Sequence, residues 1–170
     1  MTRPENDQTS IIEIRTAQKE DVPLILEFIK LMATYVKMPD LLKATEESLT
    51  ESLFGSKQAA EVSLIYEGSQ AVGYAVYFHN FSTIEGKHGL YLEDLFIKPP
   101  FRGKGIGKKV LKHLANLALE RGCTRFEWLV ADWNKPAVDF YRKIGSDVLD
   151  EFRVCRMNQK SMEQYVAKEL

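Results

Sequence analysis

Apolar positions recur along the chain with two periods, which predict an alternation of strands and helices. Residues 11–15 alternate between apolar and polar as a short strand does, and the apolar residues of 22–36 recur at helical spacing. A second, shorter helix is expected between the capping residue Thr45 and Gly55. Three strands are expected next, the first two as an antiparallel hairpin: 61–66, 71–81 and 90–97.

The second half of the chain continues this alternation. A glycine-rich turn at 102–107 opens a helix through Arg121, whose apolar residues recur on one face. A strand is then expected at 126–131 and a helix between Asn134 and Gly145. Two short strands, at 148–150 and 152–157, and a terminal helix at 161–168 are expected to follow. The pattern predicts an α/β fold (α+β in some schemes) on one mixed, mostly antiparallel sheet flanked by helices. Residues 1–10 are expected to be a flexible N-terminal segment, and 11–170 a single domain.

Composition narrows the class of protein. The chain has 170 residues, 45% of them hydrophobic, which suits one globular domain with a buried core. Its net charge of −1 disfavours a globally basic nucleic-acid binder. A polar start without an apolar stretch, and no segment of membrane-spanning length, predict a cytoplasmic protein without a membrane partner. Cys123 and Cys155 are too few for a disulfide framework, and neither lies in a CxxC pair.

The small net charge conceals an uneven distribution. Residues 98–112 hold six of the 23 Lys and Arg residues and none of the 24 Asp and Glu residues. This segment therefore carries +6 and the remainder of the chain −7. Such a concentration predicts an anionic ligand at 98–112. A nucleic-acid-binding module is the competing interpretation, but Phe101 is the segment's one aromatic residue available for base stacking.

The glycine-rich turn Arg102-Gly-Lys-Gly-Ile-Gly107 indicates phosphate as the anionic group of that ligand. A turn between strand and helix can direct consecutive backbone N–H groups and a helix N-terminus at phosphate oxygens. Glycine avoids side chains that would block the anion, and it tolerates a positive φ. The spacing matches neither the Walker loop nor the dinucleotide fingerprint. The alternative is a plain glycine-rich turn followed by a solvated lysine face.

Ionisable residues on either side of this turn supply candidate chemistry. Glu93 and Asp94 interrupt an otherwise apolar strand, and adjacent strand residues face opposite sides. One acid can therefore face a substrate while the other is structural, although an exposed strand with both acids solvated is the alternative. Downstream, Tyr141 shares a helical face with Asn134 and Ala137. Taken singly, Tyr141 is more typical of a packing aromatic than of a catalyst.

These motifs together resemble a known family. The turn fits the acetyl-CoA-binding signature of the GNAT N-acetyltransferases as Arg102-x-x-Gly105-x-Gly107. Three further segments, 91–94, 132–136 and 140–141, make the chain similar to the spermidine/spermine branch, which includes diamine and thialysine acetyltransferases. The resemblance extends from about residue 14 to residue 157. It implies a GNAT-like sheet that splays after the 90–97 strand, direct acetyl transfer to an amine, and a homodimer to which 150–157 contributes.

The resemblance also implies roles for particular residues. Glu93 matches the family's base and Tyr141 its general acid. Tyr35, Glu93 and Asp94 are the expected substrate-binding residues. Acetyl-CoA is the implied co-substrate, and the residues expected to hold it belong to the strand end, the turn and the later helix start: Leu95, Phe96, Ile97, Arg102, Gly103, Lys104, Gly105, Ile106, Gly107, Lys108 and Asn134. A covalent cysteine mechanism is disfavoured because neither cysteine lies in these motifs.

Departures from the branch bear on the acceptor. Polyamine-specific members have Tyr-Glu where this chain has Tyr35-Val36, so one carboxylate for a long polycation is missing. A small cationic amine is expected, such as a polyamine, a diamine or a thialysine-like or lysine-like amine. The alternatives are a GNAT enzyme with another acceptor (an amino acid, peptide or antibiotic) and a noncatalytic acyl-CoA-binding protein. The histidines His79, His88 and His113 are scattered without metal-ligand spacing, so no metal is predicted.

Overall fold

The computed structural model describes residues 11–168, and the predicted flexible segment 1–10 lies outside them. The chain divides into two compact units, Met1–Leu129 and Val130–Leu170. The described strands all belong to the first unit, together with three of the α-helices. None of the helices in the described part of the chain is both long and apolar enough to cross a membrane.

The sheet follows the order of the chain. Its strands are β1 Ile12–Thr16, β2 Glu61–Glu67, β3 Gln70–Ser82, β4 Lys87–Ile97 and β5 Phe126–Trp128. Each strand lies beside its predecessor, in the order β1-β2-β3-β4-β5. The pairs from β1 to β4 are antiparallel, and β5 joins β4 in parallel after the helical crossover. The predicted mixed, mostly antiparallel sheet is therefore confirmed.

The helices begin and end largely where the sequence signals stand. They are α1 Val22–Tyr35, α2 Glu46–Phe54 and α3 Ile106–Glu120 in the first unit, and α4 Lys135–Lys143 and α5 Gln159–Val166 in the second. At the start of α2, the Thr45 hydroxyl accepts the Ser48 N–H at 3.2 Å, and Gly55 is the C-cap. This side chain satisfies one of the helix's terminal N–H groups, as the sequence predicts.

Helices cover both faces of the sheet. On one face α1 and α2 bury a cluster that includes Phe28 and Tyr74, whose rings stack at 5.5 Å between centroids. Leu64 of β2 belongs to this cluster, whereas its neighbours Ser63 and Ile65 are also buried and, by strand alternation, point to the other face. That face needs its own cover, and α3 buries an apolar stripe and contacts β4: Ile106, Val110, Leu111, Leu114 and Ala118.

Two irregularities of β4 determine what it exposes. Its register with β3 passes from Asp94 opposite Val76 to Leu92 opposite Tyr77, so Glu93 is the extra residue of a β-bulge. Its pairing with β5 involves only 90–92 among the described residues. The bulge and the end of the pairing with β5 thus coincide inside the 90–97 strand, whereas the resemblance implies a splay after that strand.

The strands predicted at 148–150 and 152–157 are absent from the structure, where residues 146–157 lack strand pairing. The apolar residues that motivated the prediction are largely exposed, including Phe152 at 72% and Val154 at 61%. Alternation indicates a strand only where a neighbouring strand supplies hydrogen-bond partners, and the described part of this second unit contains none. The strand predicted at 126–131 likewise ends early, at Trp128.

Candidate active site

Glu93 and Asp94 occupy different environments although they are adjacent. Asp94 is half-buried, and its Oδ2 accepts a hydrogen bond of 2.7 Å from the hydroxyl of Tyr74. Burial raises the pKa of Asp94, and the bond from Tyr74 opposes that rise. Glu93 is exposed. The bulge therefore separates one carboxylate that is tied to the core from one that is accessible to a reactant.

Tyr74 is a residue of this arrangement that the sequence analysis missed. It is fully buried on β3, where it lies opposite Phe96 of β4. The same burial, together with the charge of Asp94, raises the pKa of its phenol well above the usual range, so Tyr74 is a hydrogen-bond donor at all ordinary pH values. Its apolar surroundings in the sequence gave no signal, because its relation to Asp94 depends on the cross-strand register.

Backbone donors line the end of β4. In an antiparallel strand, successive residues direct their N–H and C=O groups to alternate sides. Lys98 N–H bonds to Val72 on β3, so the N–H groups of Ile97 and Leu95 point to the opposite side, on which the pairing with β5 has ended. The N–H of Phe96 points toward β3 by the same alternation, and its ring lies in the core. Leu95 and Ile97 can therefore donate hydrogen bonds to a ligand beside β4.

The glycine-rich turn has the backbone conformation that its sequence indicates. Gly103 and Gly105 have φ values of 77° and 78°, in the left-handed region that favours glycine. The first turn of α3 is closed by Lys109 N–H bonding to Gly105 C=O at 3.1 Å. By helix geometry, the N–H groups ahead of it have no acceptor within α3. They provide an anion-binding helix N-terminus.

Gly107 lies within the first turn of this helix and lacks a positive φ. A Cβ built on it meets no atom within 4 Å apart from its chain neighbours and the backbone of its own helix turn, and Gly103 and Gly105 are likewise open beyond their chain neighbours. Neither strain nor internal crowding therefore explains a glycine at 107. The open space at Gly107 would allow an anionic ligand to approach the backbone of the first helical turn closely.

Several basic side chains of 98–112 bind to the protein itself. Arg102 donates from Nε to the Ile97 carbonyl at 2.7 Å, and its guanidinium lies 4.5 Å from the centre of the Tyr35 ring. Lys98 pairs with Glu27 at 3.3 Å, and Lys104 with Glu67 at 3.7 Å. Arg102 thus fixes the end of β4 relative to the turn. The anion-binding capacity of the segment depends mainly on its backbone and on the exposed lysines at the start of α3.

The other predicted site residues fall into two groups. Tyr35 ends α1, with its ring 6.3 Å from that of Phe96 and against Arg102, so it stands beside the turn. Asn134 and Tyr141 belong to the second unit, where Asn134 is the N-cap of α4 and its C=O accepts the Val138 N–H at 3.1 Å. Tyr141 is half-buried on the same helix, 5.6 Å from the Phe140 ring.

The expectation that the histidines are scattered is wrong for two of them. His79 and His88 lie with ring centroids 5.2 Å apart, and Cys123 is close to both. Sequence spacing could not show this, because the three residues come from β3, β4 and the segment after α3. His113 is exposed on α3, as expected.

Comparisons with known proteins identify the family of the chain. Residues 29–145 match the model of the acetyltransferase (GNAT) family. The chain is 40% identical to a thialysine N-epsilon-acetyltransferase of Sus scrofa over 81% of this chain and 85% of the relative. It is 30% identical to an L-ornithine N5-acetyltransferase of Arabidopsis thaliana, over 95% of this chain and 92% of that protein.

A solved structure supports the fold. An integron cassette protein from the mobile metagenome of V. cholerae superposes with a TM-score of 0.76 at 28% identity, covering 92% of this chain and 98% of that chain. The predicted GNAT-like architecture is thereby confirmed. The family model spans most of the chain, and its members are acetyl-CoA-dependent enzymes. The chain therefore belongs to the GNAT family of N-acetyltransferases.

Proposed function

We propose that this enzyme transfers the acetyl group of acetyl-CoA directly to a primary amine of a small cationic substrate. The observation that carries the proposal is the arrangement at the end of β4. There an accessible carboxylate, Glu93, is followed by outward backbone donors at Leu95 and Ile97 and then by the glycine turn. These are the groups that deprotonation of an amine, activation of a carbonyl and binding of a phosphate each require.

The chain's backbone fits acetyl-CoA as the anionic ligand. The turn 102–107 and the first residues of α3 would receive the pyrophosphate, through N–H groups without helical acceptors and across the open space at Gly107. Leu95 and Ile97 would bind the more extended part of the molecule beside β4. Asn134 is assigned to the same ligand by its match to the family motif alone.

Glu93 is the proposed base. A primary amine with a pKa of about 10.4 is mostly protonated at neutral pH and must lose a proton before it attacks. The Glu93 carboxylate accepts this proton, directly or through a water molecule. The amine nitrogen then forms a bond to the acetyl carbon as the carbon–sulfur bond breaks.

Two further groups complete the transfer. A backbone N–H of Leu95 or Ile97 donates to the carbonyl oxygen, on which negative charge develops during the attack. Tyr141, which matches the family's general acid, protonates the departing thiolate. The nitrogen loses its second proton to solvent as the amide forms. Glu93 ends the turnover protonated and Tyr141 deprotonated; Glu93 then releases its proton to solvent and Tyr141 takes one from it, so one proton is released for each amine acetylated.

Within this class of amines, the observations favour a short lysine-like acceptor over a long polyamine. The two relatives above are named for thialysine and for ornithine, which are amino acids with a single side-chain amine. The polyamine branch places a carboxylate after its tyrosine, whereas here Val36 follows Tyr35. The Tyr35 ring is also covered by Arg102, a cation that would repel the further ammonium groups of a polyamine, whereas the α-carboxylate of an amino acid offsets the charge of its α-ammonium group.

The proposal is tested by mixing the purified chain with acetyl-CoA and a panel of amines: thialysine, lysine, ornithine, diamines, polyamines, a peptide and an aminoglycoside. Released thiol is measured, and the acceptors are ranked by kcat/KM. We expect thialysine or another lysine-like amine to rank first. A polyamine or an aminoglycoside in first place would overturn the acceptor assignment and leave acetyl transfer intact.

The variant Tyr141→Phe tests the acid role, with Tyr165→Phe, an exposed tyrosine on α5, as its matched control. We expect kcat to fall in the first variant alone. Undiminished turnover of Tyr141→Phe at every pH would remove Tyr141 from the mechanism. Binding of acetyl-CoA without thiol release for any amine would instead support a noncatalytic acyl-CoA-binding protein.

We also propose that the enzyme is a homodimer, as the family resemblance implies. Exposed apolar side chains are concentrated in the second unit, where Leu149, Phe152 and Met157 are each more than half exposed. A partner surface would remove such residues from water. Light scattering measures the mass of the protein in solution and so tests this proposal. A measured mass of 19.5 kDa, that of one chain, would exclude a dimer.

A cytoplasmic location stays a prediction.

A further inference from the structure

Three metal-ligand side chains converge at the beginning of β4, away from the glycine turn. One nitrogen from each of His79 and His88 and the sulfur of Cys123 all lie within 4.8 Å of one another. Both imidazoles are exposed, whereas the Cys123 side chain is buried. This cluster has no part in the reaction proposed above.

The backbone holds the three residues in place. His79 lies opposite Leu90, and His88 opposite Phe81, so the two histidines are diagonal neighbours on one face of the β3–β4 ladder. Cys123 follows α3, where its N–H bonds to Ala118 C=O at 2.9 Å. The next residue, Thr124, donates its N–H to the carbonyl of His88 at 3.2 Å. The cysteine is thus held next to the strand that carries one of the histidines, through the hydrogen bond of its neighbour Thr124.

Groups around the cluster orient His88 and partly neutralise Arg121, whose positive charge would repel a metal ion. The Nε2 of His88 lies 2.9 Å from the carbonyl of Arg121, and because a carbonyl only accepts, this nitrogen carries the hydrogen. The Nδ1 of His88 then keeps its lone pair, which is the usual arrangement for a metal-binding histidine. The Arg121 guanidinium is the nearby cation, and Glu61 binds both of its terminal nitrogens, one of them at 2.8 Å.

We propose that His79, His88 and Cys123 bind one Zn²⁺ ion, with solvent as the fourth ligand. Two imidazoles and a thiolate form a donor set that zinc favours, and the exposed histidines leave room for water. With Zn–N distances of about 2.0–2.1 Å and a Zn–S distance of about 2.3 Å, the two nitrogens and the sulfur of a tetrahedral site lie roughly 3.3–3.6 Å apart. Binding therefore requires side-chain rotations that shorten the present separations, which are at most 4.8 Å. Binding releases the Cys123 thiol proton to solvent.

This site is structural and not catalytic. His88 and Ile97 are nine residues apart on β4, which corresponds to about 30 Å along an extended strand. A zinc ion at His88 would connect β3, β4 and the segment after α3, and so would stabilise the end of the sheet opposite the reaction. The inference is independent of the proposed function, because its test requires neither acetyl-CoA nor an amine.

The test uses the whole chain, freed of metal by a chelator and kept reduced by a phosphine. Co²⁺ is the first probe, because a cobalt–thiolate bond gives a charge-transfer absorption in the near ultraviolet and four-coordinate cobalt absorbs strongly in the visible range. We expect one equivalent of Co²⁺ to produce both signals and Zn²⁺ to abolish them by displacement. Zn²⁺ should also raise the Tm of the protein.

Matched variants locate the site. Cys123→Ala should lose the charge-transfer band, and His79→Gln should weaken Zn²⁺ binding by more than about 10-fold, the lower end of what loss of even an indirect partner causes. Cys155→Ala and His113→Gln, which remove exposed residues of the same types, should behave as wild type. Circular dichroism of the metal-free proteins checks folding. Should Cys123→Ala fail to fold, the exposed His79→Gln decides.

Three results would overturn the proposal. One is the absence of a thiolate band in the wild-type protein. Another is equal Zn²⁺ affinity in wild type and in His79→Gln. The third is loss of the signals in Cys155→Ala, which would assign them to the other cysteine.

Discussion

The two ends of β4 assemble ligand-binding groups in different ways. At its C-terminal end the groups are mostly backbone: the donors of Leu95 and Ile97, and the turn made by Gly103 and Gly105. At its N-terminal end they are side chains, contributed by two strands and by the segment after α3. The first arrangement is contiguous in sequence within about a dozen residues, whereas the second spans 79 to 123.

This difference determines what each end reveals in the sequence. A backbone site needs residues that permit a conformation, and glycines at fixed spacing are visible in the chain. A side-chain site needs residues brought together by register and packing, which are nonlocal. The comparison also assigns different consequences to mutation: catalysis should be sensitive at the C-terminal end, and stability or metal binding at the N-terminal end.

The largest effect is expected from Glu93→Gln. Removal of the proposed base should lower kcat/KM by about 10²–10⁴-fold, because the protonated amine then has no positioned acceptor for its proton. Steady-state kinetics with the best amine of the panel, as a function of pH, measures the loss. The variant should also lack the rise of kcat/KM with pH that ionisation of a base produces.

The control for this variant is Glu120→Gln, which neutralises an exposed acid in the last turn of α3. It should retain wild-type kinetics. A Glu93→Gln enzyme with an unchanged kcat and only a raised KM would show that Glu93 binds the amine and does not deprotonate it.

The next largest effect is expected from a change at the glycine turn, and it tests whether the backbone at the C-terminal end of β4 binds the co-substrate. Gly107→Ala should raise the KM for acetyl-CoA by about 10-fold, because a methyl group enters the space where a phosphate would approach. Stability should rise slightly or stay constant, since alanine is the better helix former by up to about 1 kcal/mol. Kinetics and urea unfolding on the same preparation measure both quantities.

Asn116→Ala is the matched control, because it makes a similar helix-favouring change at an exposed position of α3. It should gain stability without any change in KM. If Gly107→Ala leaves the KM unchanged, the ligand does not approach the helix at this residue.

Much of the fold could be predicted because its signals are local. Thr45 and Gly55 bound α2 as capping rules indicate, and the alternation of 61–66 and 71–81 gives the hairpin. The alternation at 152–157 had the same appearance, but no described strand of its unit lies beside it. Periodicity reports which residues prefer a strand, and it does not report whether a partner strand exists.

The candidate site shows the same limit. The sequence indicated that Glu93 and Asp94 would differ in role, but the reason is a bulge, which depends on the register between β3 and β4. Arg102 was expected to hold the co-substrate, and in the structure it contacts Ile97 and Tyr35. The contact with Tyr35 could not be predicted, because it exists only where the end of α1 packs beside the end of β4. Local motifs therefore locate the site, and nonlocal packing decides how its side chains are used.

At the opposite end of the sheet, Glu61→Gln should cost stability and spare catalysis. The Arg121 guanidinium holds the pKa of Glu61 below its usual range, so this pair stabilises the fold above that range and ceases to do so as the pH falls through the lowered pKa. We expect a loss of about 1 kcal/mol in the free energy of unfolding at neutral pH, because the pair is partly exposed.

Urea unfolding at several pH values measures this loss, with the exposed Glu13→Gln as control. The difference from wild type should shrink toward acidic pH, and kcat/KM should stay within about twofold, well inside 1 kcal/mol. A loss of turnover comparable to that of Glu93→Gln would abolish the distinction between the two ends.

The smallest effect is expected from Asp94→Asn, and it should have the opposite dependence on pH. Burial raises the pKa of Asp94, so the folded state holds the proton more tightly, and the stability this provides at low pH is lost as the pH rises through the raised pKa. Asparagine stays neutral and can still accept the Tyr74 hydroxyl. The variant should therefore gain stability relative to wild type as the pH rises from the usual carboxyl range toward neutrality, measured by urea unfolding. If Asp94→Asn is instead less stable than wild type over that range, ionised Asp94 stabilises the fold. Asp94 and Glu61 would then contribute to stability with the same dependence on pH.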